Sequence, residues 1–176
     1  MSIVMSAHEP HLVLADRFPV SVIIAQEPVQ NMRWISQRWT VLGVVGGRNV
    51  TDGTIERKLI RAGQEGNQYL WTGFSLTLLR SAADSYYYNL MGKSPSVYVV
   101  CHRKEEGKEI TPFLTTVEYI AATAYGEVNT EVFAVPMPPE IYRWVEQFVL
   151  ENFVPEEKKS KRKHADGFKE GHDPKE

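Results

Sequence analysis

Residues 138–152 read Pro-Pro-Glu-Ile-Tyr-Arg-Trp-Val-Glu-Gln-Phe-Val-Leu-Glu-Asn, and this stretch determines what the rest of the chain has to pack against. Apolar side chains recur at the spacing of one helical face, while charged and polar side chains fill the other positions. The apolar positions are Ile141, Trp144, Val145, Phe148 and Val149. Two prolines suit the first turn of a helix, and Pro155 ends it. The pattern predicts an amphipathic helix over residues 139–152 that covers a sheet.

Upstream of this segment, period-2 alternation predicts the sheet. The first strand carries one strongly apolar face, formed by Phe18, Val20, Val22 and Ile24. Further strands are predicted at residues 39–45, 70–78, 97–102 and 110–116. A weaker and highly charged strand is predicted at residues 55–60, where the charges favour a sheet edge. We therefore expect an α+β fold with a mainly antiparallel sheet of five to seven strands.

Shorter elements join these strands. Residues 81–84, Ser-Ala-Ala-Asp, have the spacing of a capping box and predict a short helix through Tyr86, Leu90 and Met91. A second short helix is predicted at residues 118–125, where Gly126 ends it. Residues 105–108 predict a hairpin turn between two of the strands.

Composition divides the chain into three zones. Residues 1–16 are too short and irregular to pack as an element and are expected to form a flexible arm. Residues 17–154 hold the predicted single α+β domain. Residues 155–176 are rich in charge and have one large apolar residue, Phe168, so they are expected to form a disordered tail.

Charge and cysteine content exclude several classes of protein. The 176 residues include 20 basic and 22 acidic side chains, a balance too even for a general nucleic-acid binder. One cysteine, Cys101, excludes an internal disulfide and a thiolate metal cage. No apolar run approaches the roughly 20 residues of a membrane helix, and the first ten residues do not resemble a secretory signal. We expect a cytoplasmic protein that does not insert into a membrane.

Candidate catalytic groups are few. Cys101 and His102 are neighbours on a predicted strand, so their side chains point to opposite faces and cannot act as a pair. The glycine-rich residues 43–48 lack the lysine and hydroxyl of a phosphate-binding loop and predict a tight turn. Of five histidines only His102 belongs to the predicted domain, which argues against a metal site. We expect no catalytic residue, metal or cofactor, although an enzyme could assemble polar groups around Tyr98, His102 or Arg103.

Amphipathic aromatics are the most informative feature for binding. Three successive helical tyrosines span about 200° of a helix, so at least one should face outward or lie at a boundary. Tyrosine, tryptophan and arginine are also enriched at protein interfaces. The candidate partner- or ligand-binding residues are Trp34, Arg38, Trp39, Trp71, Tyr86, Tyr87, Tyr88 and Asn89. The alternative is that most of these aromatics belong to the core or its edge.

A basic run in the tail forms a second candidate surface, made of Lys158, Lys159, Lys161, Arg162 and Lys163. Such a run could dock an acidic partner by electrostatic attraction. Acidic residues on both sides dilute its field, so nucleic acid is an unlikely ligand and a purely solvated tail is the alternative.

Several motifs together resemble a family of uncharacterised proteobacterial proteins of unknown function. They are Pro-Val-Ser-Val-Ile at 19–23, Leu-Thr-Leu-Leu-Arg at 76–80, Pro-Ser-Val-Tyr-Val-Val-Cys-His-Arg at 95–103, Val-Pro-Met-Pro at 135–138 and Lys-Arg-Lys at 161–163. The resemblance covers about residues 18–164. It departs at residues 117–120, where the family has Pro-Tyr-Glu-Ala, which weakens the prediction of a helix there. It implies no catalytic residue.

The resemblance bears on function through the genes that lie near those of the family. Genes of the family often lie near those for molybdenum or tungsten formate dehydrogenase and iron–sulfur proteins. We therefore expect a non-enzymatic accessory protein for assembly, maturation or regulation of a formate dehydrogenase complex, with formate dehydrogenase or iron–sulfur protein subunits as partners. The alternative is a small-molecule or cofactor-binding domain with an aromatic-lined pocket under the C-terminal helix. The sequence predicts no oligomeric state.

Overall fold

A computed structural model describes residues 17–29, 37–47, 53–104 and 109–155. The predicted arm at 1–16, the hairpin turn at 105–108 and all but the first residue of the predicted tail lie outside these ranges. Seven strands are described: β1 (Arg17–Pro28), β2 (Gln37–Gly46), β3 (Glu56–Gly63), β4 (Gly66–Thr77), β5 (Ser96–Arg103), β6 (Ile110–Thr116) and β7 (Thr130–Pro136). The helices are α1 (Ala83–Met91), α2 (Tyr119–Thr123) and α3 (Pro139–Asn152).

The strands form two antiparallel sheets, whereas the alternation pattern was interpreted as one sheet. Sheet A has the order β2-β1-β4-β3, and sheet B has the order β6-β5-β7. All neighbouring strands run antiparallel, and both the strand count and the α+β composition agree with the prediction. The charged strand β3 lies at an edge of sheet A, as its composition indicated. The alternation of apolar and polar residues identifies a strand but does not show which other strand it pairs with. The division into two sheets was therefore not predictable from this pattern.

One hydrophobic core joins the two sheets. Its centre in sheet A is the predicted apolar face of β1, where Val20, Val22 and Ile24 are almost wholly buried. Sheet B contributes Val97, Val99 and Cys101 from one face of β5. Phe18, the first residue of the predicted face, is only partly buried and packs against the edge of this core. The core is therefore shared between the sheets and does not belong to either of them alone.

Helix α3 has the predicted bounds and completes this core. Ile141, Val145 and Val149 are buried, as the helical spacing indicated, and each contributes roughly 1.5–3 kcal/mol by leaving water. Trp144 is partly buried and packs on Phe18 of β1, with ring centroids 5.3 Å apart. Phe148 meets Tyr86 of α1 edge to face at 5.9 Å. These two contacts place α3 against both β1 and α1.

Helix α1 does not begin with the predicted capping box. A 3-10 turn at Arg80–Ala82 precedes the helix, and the N-cap residue is Ala82, with no side-chain hydrogen bond at the cap. The backbone N–H of Ala82 donates to Leu79 O in this turn, at 3.0 Å. The local Ser81 motif was therefore misread, because the tight turn shifts the helix start by one residue. Helix α2 is confirmed but shorter than predicted, at five residues.

Strands β3 and β4 are longer than predicted and are joined by a tight turn at residues 64–65. β4 carries an irregularity opposite β1, where Val20 pairs with Phe74 but Val22 pairs with Trp71. Gly73 lies in this irregularity with a φ of +97°, and an added Cβ would overlap Thr54 O. Glycine is required at this position because of both its backbone angle and the close approach of the neighbouring chain.

The substitution Gly73→Ala tests this requirement. We expect it to lower the free energy of unfolding by at least about 1–2 kcal/mol, because alanine disfavours this φ and its Cβ displaces residue 54. Urea denaturation of the purified protein measures the change. The matched control is Gly43→Ala on β2, where an added Cβ meets nothing within 4 Å and φ is not positive. Equal stability of the two variants would contradict the proposed role of Gly73.

Candidate functional site

The three consecutive tyrosines of α1 face three different environments. Tyr86 is buried in the core, where burial raises the pKa of its hydroxyl and the Leu79 N–H donates to its oxygen at 3.0 Å. Tyr87 is partly buried and stacks on Phe153, with ring centroids 4.4 Å apart. Tyr88 is exposed. The helical geometry predicted that at least one tyrosine would face outward, and the structure identifies it as Tyr88.

Asn89, the fourth residue of this segment, fixes the position of α1. Its side-chain amide donates to Ser96 O and to Val117 O, both at 2.8 Å, and its Oδ1 accepts from Ser96 N at 3.0 Å. One side chain thereby connects α1 to the start of β5 and to the segment that follows β6. Asn89 was a candidate binding residue from the sequence, and the structure gives it this set of structural contacts.

Beside Asn89 lies an exposed apolar surface that we call the α1–α2 patch. It consists of four side chains with exposed fractions of 69% for Tyr88, 66% for Met91, 60% for Tyr119 and 67% for Ile120. Tyr88 and Met91 are three residues apart and therefore neighbours on the surface of α1. A groove of about 310 Å³ separates the two helices and is lined by Ser85, Tyr88, Asn89, Tyr98, Tyr119 and Ile120. Three of the four patch side chains, Tyr88, Tyr119 and Ile120, line this groove.

Tyr98 of β5 forms the floor of the groove. Its ring meets Tyr119 edge to face at a centroid distance of 5.5 Å. Burial, with a smaller contribution from Tyr119, raises the pKa of the Tyr98 hydroxyl, so this group stays protonated at neutral pH. The groove therefore presents phenol hydroxyls and apolar rings without a charged group among its lining residues.

Three patch residues were not identified from the sequence. Tyr119 and Ile120 fall in the stretch where the family resemblance weakened the helix prediction, and α2 is too short to show a helical period. Met91 was assigned only to the interior of a short helix. Its spacing of three residues from Tyr88 is a signal that could have placed both side chains on one face.

Three other candidates, Arg38, Trp39 and Trp71, lie on sheet A instead. Trp39 is buried and stacks on Tyr69 at 5.8 Å, while Trp71 is partly buried at the edge of the core. The Arg57 guanidinium lies over both Tyr69 and Trp71, at 4.9 and 5.6 Å from the ring centroids. These contacts show that Trp39 and Trp71 pack within sheet A, whereas Tyr88 lies on α1.

Arg38 is exposed and pairs with Glu27 of the neighbouring strand at 2.6 Å. Trp34 and the basic tail residues lie outside the described ranges. The candidates that the structure describes therefore divide into a group on sheet A and a group on α1, and these two groups do not form a single aromatic surface.

Two further grooves flank α3, and both are open to solvent. The first has a volume of about 670 Å³ and a mainly apolar lining near the start of the helix, including Pro95, Ala134, Met137, Tyr142 and Arg143. The second has a volume of about 810 Å³ and a mainly polar lining near the end of the helix, including Arg80, Asp84, Tyr87, Tyr88 and Asn152. These two grooves lie at the two ends of α3.

Cys101 and His102 face opposite sides of β5, as predicted. Cys101 is wholly buried, and this burial raises the pKa of its thiol to about 12, so the reactive thiolate is scarce at neutral pH. His102 is exposed and stacks on Phe113 at 4.0 Å. Arg103 forms an ion pair with Glu131. These contacts assign packing and pairing roles to the residues around which an enzyme site would have to be assembled.

Within the part of the chain that the structure describes, no three histidine, cysteine or acidic side chains are grouped as metal ligands. The same part contains no helix that is both long and apolar enough to cross a membrane.

Replacing Asn89 with alanine tests its role as the link between α1 and sheet B. We expect Asn89→Ala to lower the free energy of unfolding by about 3 kcal/mol, because three hydrogen bonds are lost and the polar groups of Ser96 and Val117 lose their partner. Denaturant unfolding measures this loss. The neighbouring Tyr88→Ala variant removes an exposed ring and should change stability by only about 0.5 kcal/mol. A small effect of Asn89→Ala would show that α1 is held by its apolar contacts alone.

Comparisons with known proteins give one family. No curated protein and no solved structure matches the chain. The family model described as "Protein of unknown function (DUF3305)" matches residues 19–163, which include all of the strands and helices described above except the first two residues of β1. Because this match extends over most of the sequence, the chain belongs to the DUF3305 family of proteins of unknown function.

Proposed function

We propose that this chain is a non-enzymatic accessory protein that binds a partner protein through the α1–α2 patch. The observation that carries the proposal is the grouping of three large, exposed side chains, Tyr88, Tyr119 and Ile120, around one groove. Exposed Met91 extends this group along the surface of α1, three residues from Tyr88. Soluble proteins rarely leave several large apolar side chains side by side on a surface unless that surface meets a partner. Tyrosine and methionine are, in addition, enriched at protein interfaces.

The contacts that hold α1 in place beneath the patch favour binding of a partner. Asn89 connects α1 to the segments that begin β5 and follow β6, and the buried ring of Tyr86 anchors the other face of the same helix. A surface that is already held in place loses little conformational entropy when a partner docks, so more of its contact energy contributes to affinity. The mixture of apolar rings and phenol hydroxyls also suits an interface that must be exposed before the partner arrives.

As the partner we propose a subunit of a molybdenum or tungsten formate dehydrogenase complex or an associated iron–sulfur protein. This choice is supported by the family resemblance of the sequence and the genomic context that it implies. The accessory role would be assembly, maturation or regulation of that complex. The basic tail run from Lys158 to Lys163 would add electrostatic attraction, which salt weakens.

The double variant Tyr88→Ala and Ile120→Glu tests the patch. Both side chains are more than half exposed, so the fold should persist while the apolar contact is lost. We expect the recovery of formate dehydrogenase subunits with the tagged full chain, expressed in its source organism, to fall by about ten-fold or more. Quantitative mass spectrometry of the captured proteins measures this recovery.

The matched control is Val45→Glu, which places a charge on an exposed apolar position of β2, outside the patch. This variant should capture the same subunits as the unaltered chain. Undiminished capture by the patch variant would contradict the proposed surface. Capture of no formate dehydrogenase subunit by any form of the chain would contradict the proposed partner.

A second candidate function is the binding of a small amphipathic molecule beside α3. It is favoured by the groove of about 670 Å³ near the start of that helix, where Met137 and Tyr142 line an apolar wall and Arg143 supplies a cation. A volume of this size suits a small ligand, and the arginine would select one with an acidic group.

Anilinonaphthalene sulfonate, an apolar anion whose fluorescence rises on binding, tests this groove. We expect saturable binding by the native protein and a several-fold weaker affinity for Ala134→Phe, because the new ring fills part of the groove. The control Ala124→Phe adds the same ring at an exposed position after α2 and should bind as the unaltered chain does. Equal affinities of the two variants would contradict binding in this groove.

A further inference from the structure

Strand β3 presents an unpaired edge. It is the last strand of sheet A and pairs on one side only, with β4, in the part of the chain that the structure describes. All eight of its residues are exposed, and large apolar side chains on and beside it, Ile55 and Leu59, are 45% and 50% exposed. An exposed strand edge of this kind offers a row of unpaired N–H and C=O groups to another strand.

The sequence of this edge is self-complementary. Residues 55–59 read Ile-Glu-Arg-Lys-Leu, so that an apolar residue stands at each end, an acidic and a basic residue stand inside them, and Arg57 is at the centre. The register with β4 is regular from Glu56 to Leu59, and an irregularity follows between Leu59 and Arg61. The self-complementary segment therefore lies in the regular part of the strand, apart from Ile55, which immediately precedes it.

We propose that two copies of this chain associate by antiparallel pairing of their β3 strands, centred on Arg57. In this register each Glu56 lies opposite Lys58 of the other copy, and each Ile55 lies opposite Leu59. Opposed residues of an antiparallel pair share one sheet face, so the arrangement creates two ion pairs on one face and two apolar pairs on the other. The contact is isologous and closes after two copies.

The central position is the one place where like charges meet, and contacts within each copy reduce their repulsion. Arg57 pairs with Glu109 at 2.7 Å, and its guanidinium lies over the rings of Tyr69 and Trp71 in its own copy. The side chain is thus held against its own protein, and its charge is partly compensated by a carboxylate that also pairs with Lys104. Two such residues at the two-fold axis repel each other less than two unpaired cations would.

Other registers are less favourable. Centring the pair on Lys58 would place two lysine ammonium groups opposite each other, because Lys58 has no ion-pair partner among the described residues. If the pair were centred on Leu59, Lys58 would lie opposite Arg61 of the other copy. Ile60 is skipped because the register of β3 shifts between Leu59 and Arg61. Like charges directly opposite are destabilising, so of these three registers the charges of β3 favour the one centred on Arg57.

The consequence is a continuous sheet of eight strands across the dimer, in which sheet A of one copy joins sheet A of the other. This surface is separate from the α1–α2 patch, and the inference does not rest on the proposed function. The pairing of the β3 strands does not involve Tyr88 or Ile120, which lie on α1 and α2.

Sedimentation equilibrium of the purified full chain tests the proposal. We expect the mass to rise from 20.1 kDa toward twice that value as the protein concentration increases. Lys58→Glu places two pairs of carboxylates opposite each other and should weaken association by about ten-fold or more. The double variant Glu56→Lys with Lys58→Glu exchanges the two charges and should restore association.

The matched control is Lys93→Glu, which makes the same charge change at an exposed lysine after α1 and should associate like the unaltered chain. Far-ultraviolet circular dichroism establishes that each variant is folded. A mass of 20.1 kDa at every concentration would overturn the proposal. So would equal association of Lys58→Glu and Lys93→Glu, and failure of the double variant to restore association would overturn the register.

Discussion

The structure depends on one constraint, which is that neither sheet can bury its apolar face alone. Sheet B has three strands, and the apolar face of sheet A is centred on β1, so each needs the other and α3 to exclude water. Val22 of β1, Val99 of β5 and Ile141 of α3 have no measurable exposure, which shows that all three layers meet in the same core. The positions of α1 and of the surface it presents follow from this shared core.

The same constraint links packing to the proposed function. Helix α1 contributes Tyr86 and Leu90 to the core, while Asn89 satisfies three polar groups of the adjoining backbone. The helix is therefore fixed from one side by apolar contacts and from its flank by hydrogen bonds. Only the outward side chains remain available for a partner. In the function that we propose, this core holds a small recognition surface in a fixed arrangement.

Strong local patterns were predictable from the sequence, and long-range contacts were not. Helix α3 was found because its apolar spacing continues over more than two turns, from Ile141 to Val149, and β3 was placed at an edge because of its charges. The division into two sheets depends on strand pairing, which alternation does not encode. Asn89 was interpreted as a binding residue because it follows three tyrosines. Its hydrogen bond to Val117 was not predictable, because that residue is 28 residues away in the chain. Ile120 was missed because five helical residues show no period.

Site-specific photocrosslinking tests the central claim, that the outward face of α1 is the binding surface. A benzophenone amino acid would replace Tyr88 in one form of the full chain and Arg38, an exposed residue of β2, in another. After irradiation in the source organism, we expect crosslinks to a formate dehydrogenase or iron–sulfur subunit from position 88 and none from position 38. Crosslinks from position 38 alone, or from neither position, would contradict it.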